Sequence, residues 1–411
     1  MKYRRIFIGL FVIFPWIDFL NGFFLSMNHN VPIGVFYRIT CLIFLLVAIF
    51  RKGIARSNFS ILTISIIGLL IIELFLQTIF LQMSINEVFE NMIMLIKCMI
   101  WLLMPYFVYQ YRTFFTVQDF EKISFYISLF FALCLLVPYF CGFGNTTYSD
   151  GAGYKGFFYA TNDTTFAFIF ALTFIGWYLL AYFKEWHIVK RLFLLVLYTA
   201  LFACLFLLGT KSGIIWGILL TTYNLFSFLF KKTTEVASFT KLLTGFTFIP
   251  ALFYLFYEGI DKIIQGLSDV ITRLTYFFRL FDGNLLTFIT SSRSTFLAAS
   301  WEQFTQENSP IFYFIGYGFS YRMKNWGIGD NVEMDLFDTL FSLGLIGLGL
   351  VLLLFSYYIC LMIQNRIKNI FSFLFFIAII YAFFAGHIFY SALCSTILGI
   401  ICSALLLMKK E

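Results

Sequence analysis

Charge is what this sequence has least of. Only 12% of its 411 residues are charged, about half the share of a soluble domain. Hydrophobic residues make up 61%, phenylalanine alone accounts for 59 positions, and mean hydropathy is +0.90. No water-soluble globule of this size could hide that much apolar surface. Histidine is scarce too. His29, His187 and His387 are the three present, and none has a second ligand at metal-binding spacing, so no metal centre is expected. The eight cysteines fall almost entirely inside apolar runs and form no CxxC pair, which reads as small core hydrophobes rather than disulfides or ligands. A Walker loop and a GxGxxG turn after a strand are both missing, so neither a cytosolic nucleotide nor a cofactor is expected. The start, "MKYRRIFIGLFVIFPWIDFL", has a basic head and an apolar body but no small-residue cleavage site. It reads as a first spanning helix rather than a signal peptide.

What is present is a series of continuous apolar runs. Continuity rather than alternation argues for an all-α polytopic membrane helix bundle and against a β-barrel. About twelve spans of roughly 18–25 residues are expected, centred near Phe14, Ile43, Leu69, Met99, Phe130, Phe170, Leu197, Leu219, Phe248, Leu348, Ala378 and Leu398. Together they make residues 1–411 a single integral membrane domain. Placing the N-terminus in the cytoplasm gathers Arg4, Arg5, Arg51, Lys52, Arg56, Lys190, Arg191, Lys231 and Lys232 in short inside segments. That follows the positive-inside rule and leaves both termini cytoplasmic. On the outside lie a Gly-, Ser- and Thr-rich loop over 142–156 and a large extracytoplasmic loop over 258–335. Four charges fall within spans. Asp18 could meet Arg38, and Glu73 could meet Lys97, at similar depth; the alternative is a polar cavity open to the outside.

The large loop holds most of the candidate chemistry. Residues 260, 263, 264, 267, 271, 274, 278 and 281 are apolar at helical spacing, an amphipathic helix that lies along the membrane or caps the bundle. Its Arg273 and Arg279 are candidate anion contacts. In "TSSRSTFLAASWEQFTQEN", Ser291 or Ser292 suits an N-cap, and Arg293 shares a face with Leu297, Trp301 and Phe304. An arginine in a first turn opposes the helix dipole unless an anion or a loop acid sits there. Gly316 and Gly318 allow the backbone to pass close to a ligand or another helix, and Arg322 and Lys324 follow. "GTKSG" brings Lys211 to the same outer face in a tight turn. In "VEMDLFDTLFSLGLIGLG", Asp335 can cap the helix, Asp338 suits its first turn, and Gly344 and Gly347 permit close helix packing. Glu333 has no such structural use.

Cations and carboxylates at an outer membrane surface suit a lipid-linked diphosphate, whose phosphates lie at the interface. Glycosyl transfer from it needs fixed cations for the departing diphosphate and a carboxylate or imidazole for the proton of the incoming hydroxyl. At this point the sequence resembles the bacterial O-antigen and capsule polymerases of the Wzy type, which share a superfamily with the O-antigen ligases. Three stretches carry the resemblance: "GFFYATNDTTFAFIFAL" (156–172), "LFLLGTKSGIIWGILL" (205–220) and the run from "RSTFLAASWEQF" through "FIGYGF" to "NVEMDLFDTLFSLGLIGLGL" (293–350). The resemblance implies a polymerase of undecaprenyl-diphosphate-linked oligosaccharide repeat units in the bacterial cytoplasmic membrane. A chain-length regulator and a flippase would be its partners, and no nucleic acid is involved. Arg293, Lys211, Arg322 and Arg279 would bind the diphosphate. Glu333 and then Asp335 would serve catalysis, and Asn162, Asp163 and Arg273 would contact sugar. Lys211 stands where related members often have arginine, keeping the charge but losing the bidentate fork. Glu333 stands where the ligase-like members carry histidine, which favours polymerase over ligase. A transporter or flippase for lipid-linked sugar is the reading from another class; the single long outer loop and the lack of internal repeats count against it.

Overall fold

In a computed structural model the chain is described over residues 2–29, 31–149, 151–183, 185–230, 275, 279, 287, 290–306, 309–365 and 369–408. It is an all-α polytopic membrane protein. The helices are α1 (Lys2–Val12), α2 (Phe14–Ser26), α3 (Ile33–Lys52), α4 (Asn58–Phe80), α5 (Ile85–Gln110), α6 (Val117–Phe140), α7 (Thr161–Tyr182), α8 (Ile188–Leu208) and α9 (Lys211–Phe230). After them come α10 (Arg293–Gln306), α11 (Ile311–Ile315), α12 (Phe319–Asn325), α13 (Asp335–Gln364), α14 (Ile370–Phe384) and α15 (Ala392–Met408). Eight helical segments among the described residues, with α1 and α2 counted as one, are long and apolar enough to cross a membrane. Every expected span centre falls in a helix except Phe248, which lies outside the described residues, as does most of the amphipathic segment with Arg273. The 142–156 loop forms a small antiparallel hairpin of β1 (Asn145–Thr146) and β2 (Tyr154–Gly156).

Helix boundaries follow local chemistry. Ser84 and Glu87 close a capping box at α5, Ser57 accepts from the Ser60 amide at α4, and Asn369 accepts from the Phe371 amide at α14, each meeting amides that a helix start leaves unpaired. Gly209, at φ 68, ends α8 in the left-handed conformation. Burial sorts the spans. The apolar stretch of α7 is 72% buried against 28% for α1–α2, so α7 is a central helix and α1–α2 a peripheral one. α15 is enclosed along nearly its whole length and packs chiefly on α5.

Two of the charges expected to meet do so: Arg38 Nη2 donates to Asp18 Oδ2 at 2.7 Å. The other pair does not form. Among the described residues Lys97 hydrogen-bonds the Met94 sulfur alone, while Glu73 lies against Gly347, where an added Cβ would stand 3.1 Å from Glu73 Oε2. Similar depth in adjacent spans does not fix which way each side chain turns.

The main departure from expectation is Gly344. It does not serve close packing of a continuous helix. At φ 64 and ψ −167 it breaks α13 into two helical pieces, releasing carbonyls that must find new donors. The Phe341 carbonyl accepts from the Tyr317 amide at 3.0 Å, and that of Ser342 from the Gly318 amide at 2.9 Å. Gln77 Nε2 adds bonds to the carbonyls of Ser342 (2.8 Å) and Ile315 (2.5 Å). Gly316 and Gly318, at φ 70 and 67, carry the loop segment that meets the break. Gly316 makes room for the broken helix, and Gly318 for the side chains of Asn91, Met83 and Gln77. An added Cβ at Gly344 would sit 2.3 Å from the Phe314 carbonyl oxygen, and one at Gly316 would sit 2.4 Å from the Ser342 backbone. Gly344→Ala should therefore cost about 2 kcal/mol or more of stability. Gly349→Ala, with nothing within 4 Å of its added methyl, should be nearly neutral; thermal unfolding of the detergent-purified variants checks both.

Candidate active site at one rim of the bundle

The α7 start, the α10 start, the α13 start and the turn between α14 and α15 come together at one rim. Arg293 opens α10, and its Nη2 donates to Glu333 Oε2 at 2.8 Å. Asn162, in the first turn of α7, donates from Nδ2 to the same oxygen at 3.0 Å. The Arg293 side chain is 13% exposed and that of Glu333 36%, so the pair is reachable from outside the bundle. Arg293 Nε is buried with no hydrogen-bond partner among the described residues. Neither Ser291 nor Ser292 caps α10 with its side chain. Both are left-handed, at φ 53 and 69, and the Thr290 hydroxyl accepts from the Ser294 amide at 3.4 Å instead.

Glu333 is held from behind. Arg322 is only 1% exposed, and its Nη2 donates to Asp338 Oδ1 at 2.9 Å. Its Nη1 donates to the Ser342 hydroxyl at 2.6 Å, and its guanidinium lies over the Trp326 ring. Burial lowers the Arg322 pKa, and Asp338 opposes that shift. The Asp338 carboxylate then accepts from the amides of Val332 (2.9 Å) and Met334 (3.2 Å), fixing the backbone on both sides of Glu333. Arg322 is thus not the diphosphate ligand expected from its sequence position. It is an enclosed structural cation whose Nη1 and Nη2 are taken by Asp338, Ser342 and Gly329, while its Nε is buried with no hydrogen-bond partner among the described residues.

Asp335 departs from expectation as well. Met334 occupies the cap position and makes no side-chain cap bond. Asp335 is 2% exposed, and its Oδ2 accepts from the Ile388 amide at 2.7 Å. Its carboxylate anchors the turn after α14. In that turn Gly386 lies flat on Glu333, where a Cβ would be 2.5 Å from the Glu333 carbonyl. Both Glu333 (φ 59) and His387 (φ 67) are left-handed non-glycine residues. Strain of that kind, of order 1–3 kcal/mol each, persists only where surrounding contacts enforce it.

Next to Asn162, Asp163 accepts from the Ser391 hydroxyl, and its Oδ1 stands 3.8 Å from His387 Nδ1. Tyr381 donates to the Asn162 carbonyl at 2.9 Å. Lys211 opens α9 beside this rim: its neighbour Thr210 meets Thr165 of α7 across 3.1 Å. Arg279 is exposed on a helical residue, and Arg273 lies outside the described residues. Sequence reasoning passed over His387 because it sought a metal partner. The available signal was a Gly-His pair between two apolar runs, at a rim that span parity already made the outer one.

A protein-family model described as O-antigen ligase like membrane protein matches residues 269–411. The chain is similar to it over the stretch that carries Arg293, Arg322, Glu333, Asp335 and His387; Asn162, Asp163 and Lys211 lie outside the match. No curated protein and no solved structure matched the chain.

The two arginines should behave differently. Arg322→Ala leaves Asp338 buried without its cation and should cost about 3–5 kcal/mol. Arg293→Ala, at a partly open site, should cost much less. Thermal unfolding in detergent separates them, and equal losses would mean that the two arginines are not structurally distinct.

Proposed function

We propose that the chain is a glycosyltransferase of polysaccharide assembly. More specifically, it joins undecaprenyl-diphosphate-linked oligosaccharide repeat units at the outer face of the bacterial cytoplasmic membrane, from a bundle of about twelve spans with both termini cytoplasmic. The observation that carries this reading is the Arg293–Glu333–Asn162 cluster, in which a partly exposed cation and carboxylate from distant segments meet at one rim. The likeness over 269–411 to an O-antigen ligase like membrane protein family supports the reaction class.

In the resting site the Arg293 guanidinium is paired with Glu333. An arriving diphosphate competes for it, because guanidinium and phosphate form charge-assisted, geometrically matched bonds. Arg293, with Lys211 and Arg279, then stabilises the charge that develops on the departing diphosphate. Glu333, released on one side and still held by Asn162, faces the acceptor sugar and orients its hydroxyl. Asp335 acts through the turn it anchors, Asp163 and Arg273 lie on the sugar side, and a flippase and a chain-length regulator are its working partners.

The family description favours a second reading, a ligase that moves a finished glycan to another acceptor. Glu333, in place of the histidine of ligase-like members, supports the polymerase. Cells carrying Arg293→Ala or Glu333→Ala should display single repeat units at the surface and lose long chains. Loss of transfer to a separate acceptor with chain length intact would favour the ligase, and units retained on the cytoplasmic side would favour a transporter. Purified protein should lengthen lipid-linked units without added metal; growth abolished by EDTA and restored by a divalent ion would overturn the metal-free mechanism.

A further inference from the structure

We propose that His387, backed by Asp163, receives the proton of the acceptor hydroxyl; the assignment rests on the glycosyl-transfer reading above. Glu333 is already engaged in the resting site, where its Oε2 accepts from both Arg293 and Asn162, and it stays tied to Asn162 when a diphosphate draws Arg293 away. His387 differs. Its Nδ1 faces Asp163 Oδ1 across 3.8 Å, and its Nε2 is enclosed with no hydrogen-bond partner among the described residues. Asp163 Oδ1 is likewise buried and unpartnered. Buried polar atoms without partners are rare and call for a ligand or a chemical role. The left-handed backbone of His387 is held by Gly386 against Glu333 and by Ile388 on Asp335. The imidazole is therefore aimed by two loops of the site itself.

The charged groups around it come from each adjoining helix. Asp163 on α7 and Asp335 on α13 interact electrostatically with His387. Lys97 on α5 acts electrostatically on Asp163, and Arg293 on α10 acts on Tyr381 of α14. In the reaction, the acceptor O–H bond breaks toward His387 Nε2. The oxygen forms the new bond to the sugar carbon as that carbon's bond to the diphosphate breaks, and the electron pair leaves on the diphosphate. The imidazolium is stabilised by Asp163 until it returns the proton to water.

His387→Gly is the decisive variant, because glycine suits φ 67 without strain and leaves room for a free base. Its unfolding temperature should be unchanged or raised, and it should still bind lipid-linked units. Chain growth should fall by about a hundredfold to ten-thousandfold and recover in part with added imidazole, in proportion to the neutral form. Asp163→Asn should also slow chain growth, since the carboxylate opposite His387 Nδ1 is gone. A His387→Gly protein that lengthens chains within twofold of wild type overturns this proposal alone. So does loss of growth with no imidazole rescue. A wild-type protein that lengthens no lipid-linked units overturns the polymerase reading and this assignment with it.

Discussion

A helix that breaks inside an apolar bundle must hand its freed carbonyls to other donors, and much else here follows from where those donors come from. The break at Gly344 takes amides from Tyr317 and Gly318 and the side chain of Gln77 on α4. That junction draws the segment between α11 and α12 against the core. Ser320 then bonds Asn91 and Glu90 on α5, and Arg322 is carried into its enclosed position over Asp338. The loop that bears the candidate chemistry is therefore stitched to α13 by backbone bonds and to α4 and α5 by bonds through the side chains of Gln77, Asn91, Glu90 and Ser320, bonds that an apolar surrounding makes costly to lose.

From that anchor, position propagates outward. Arg322 fixes Asp338, Asp338 fixes the amides on either side of Glu333, and Glu333 is left with a left-handed backbone and a side chain turned to Arg293 and Asn162. A buried ion pair is weak evidence for net stability. Its role here is geometric: it sets where one carboxylate stands relative to one guanidinium.

Hydropathy made the spans legible, because about twenty apolar residues in a row match the thickness of a bilayer and little else. Equal depth made the Asp18–Arg38 contact legible, and loop parity brought Arg293 and Glu333 to one face. Register was not legible. Asn162 meets Glu333 across a sequence separation of 171, and nothing local in either segment encodes that meeting. Gly344 read as a packing residue because a glycine in an apolar run looks the same whether it packs or breaks; the difference lies in Gly316, far upstream. Arg322 and Arg293 looked alike as loop arginines, and only the presence of Asp338 and Trp326 around one of them separates an interior cation from an accessible one.

Adjacent residues of α7 tether two different arms of the site. Asn162 holds the carboxylate opposite Arg293, and Asp163 faces the imidazole in the turn before α15. Successive positions on a helix point about 100° apart, so a single rigid turn works as a gauge that spaces the arm bearing Arg293 and Glu333 from the arm bearing His387. The loops around it are then free to vary, provided the gauge keeps its phase.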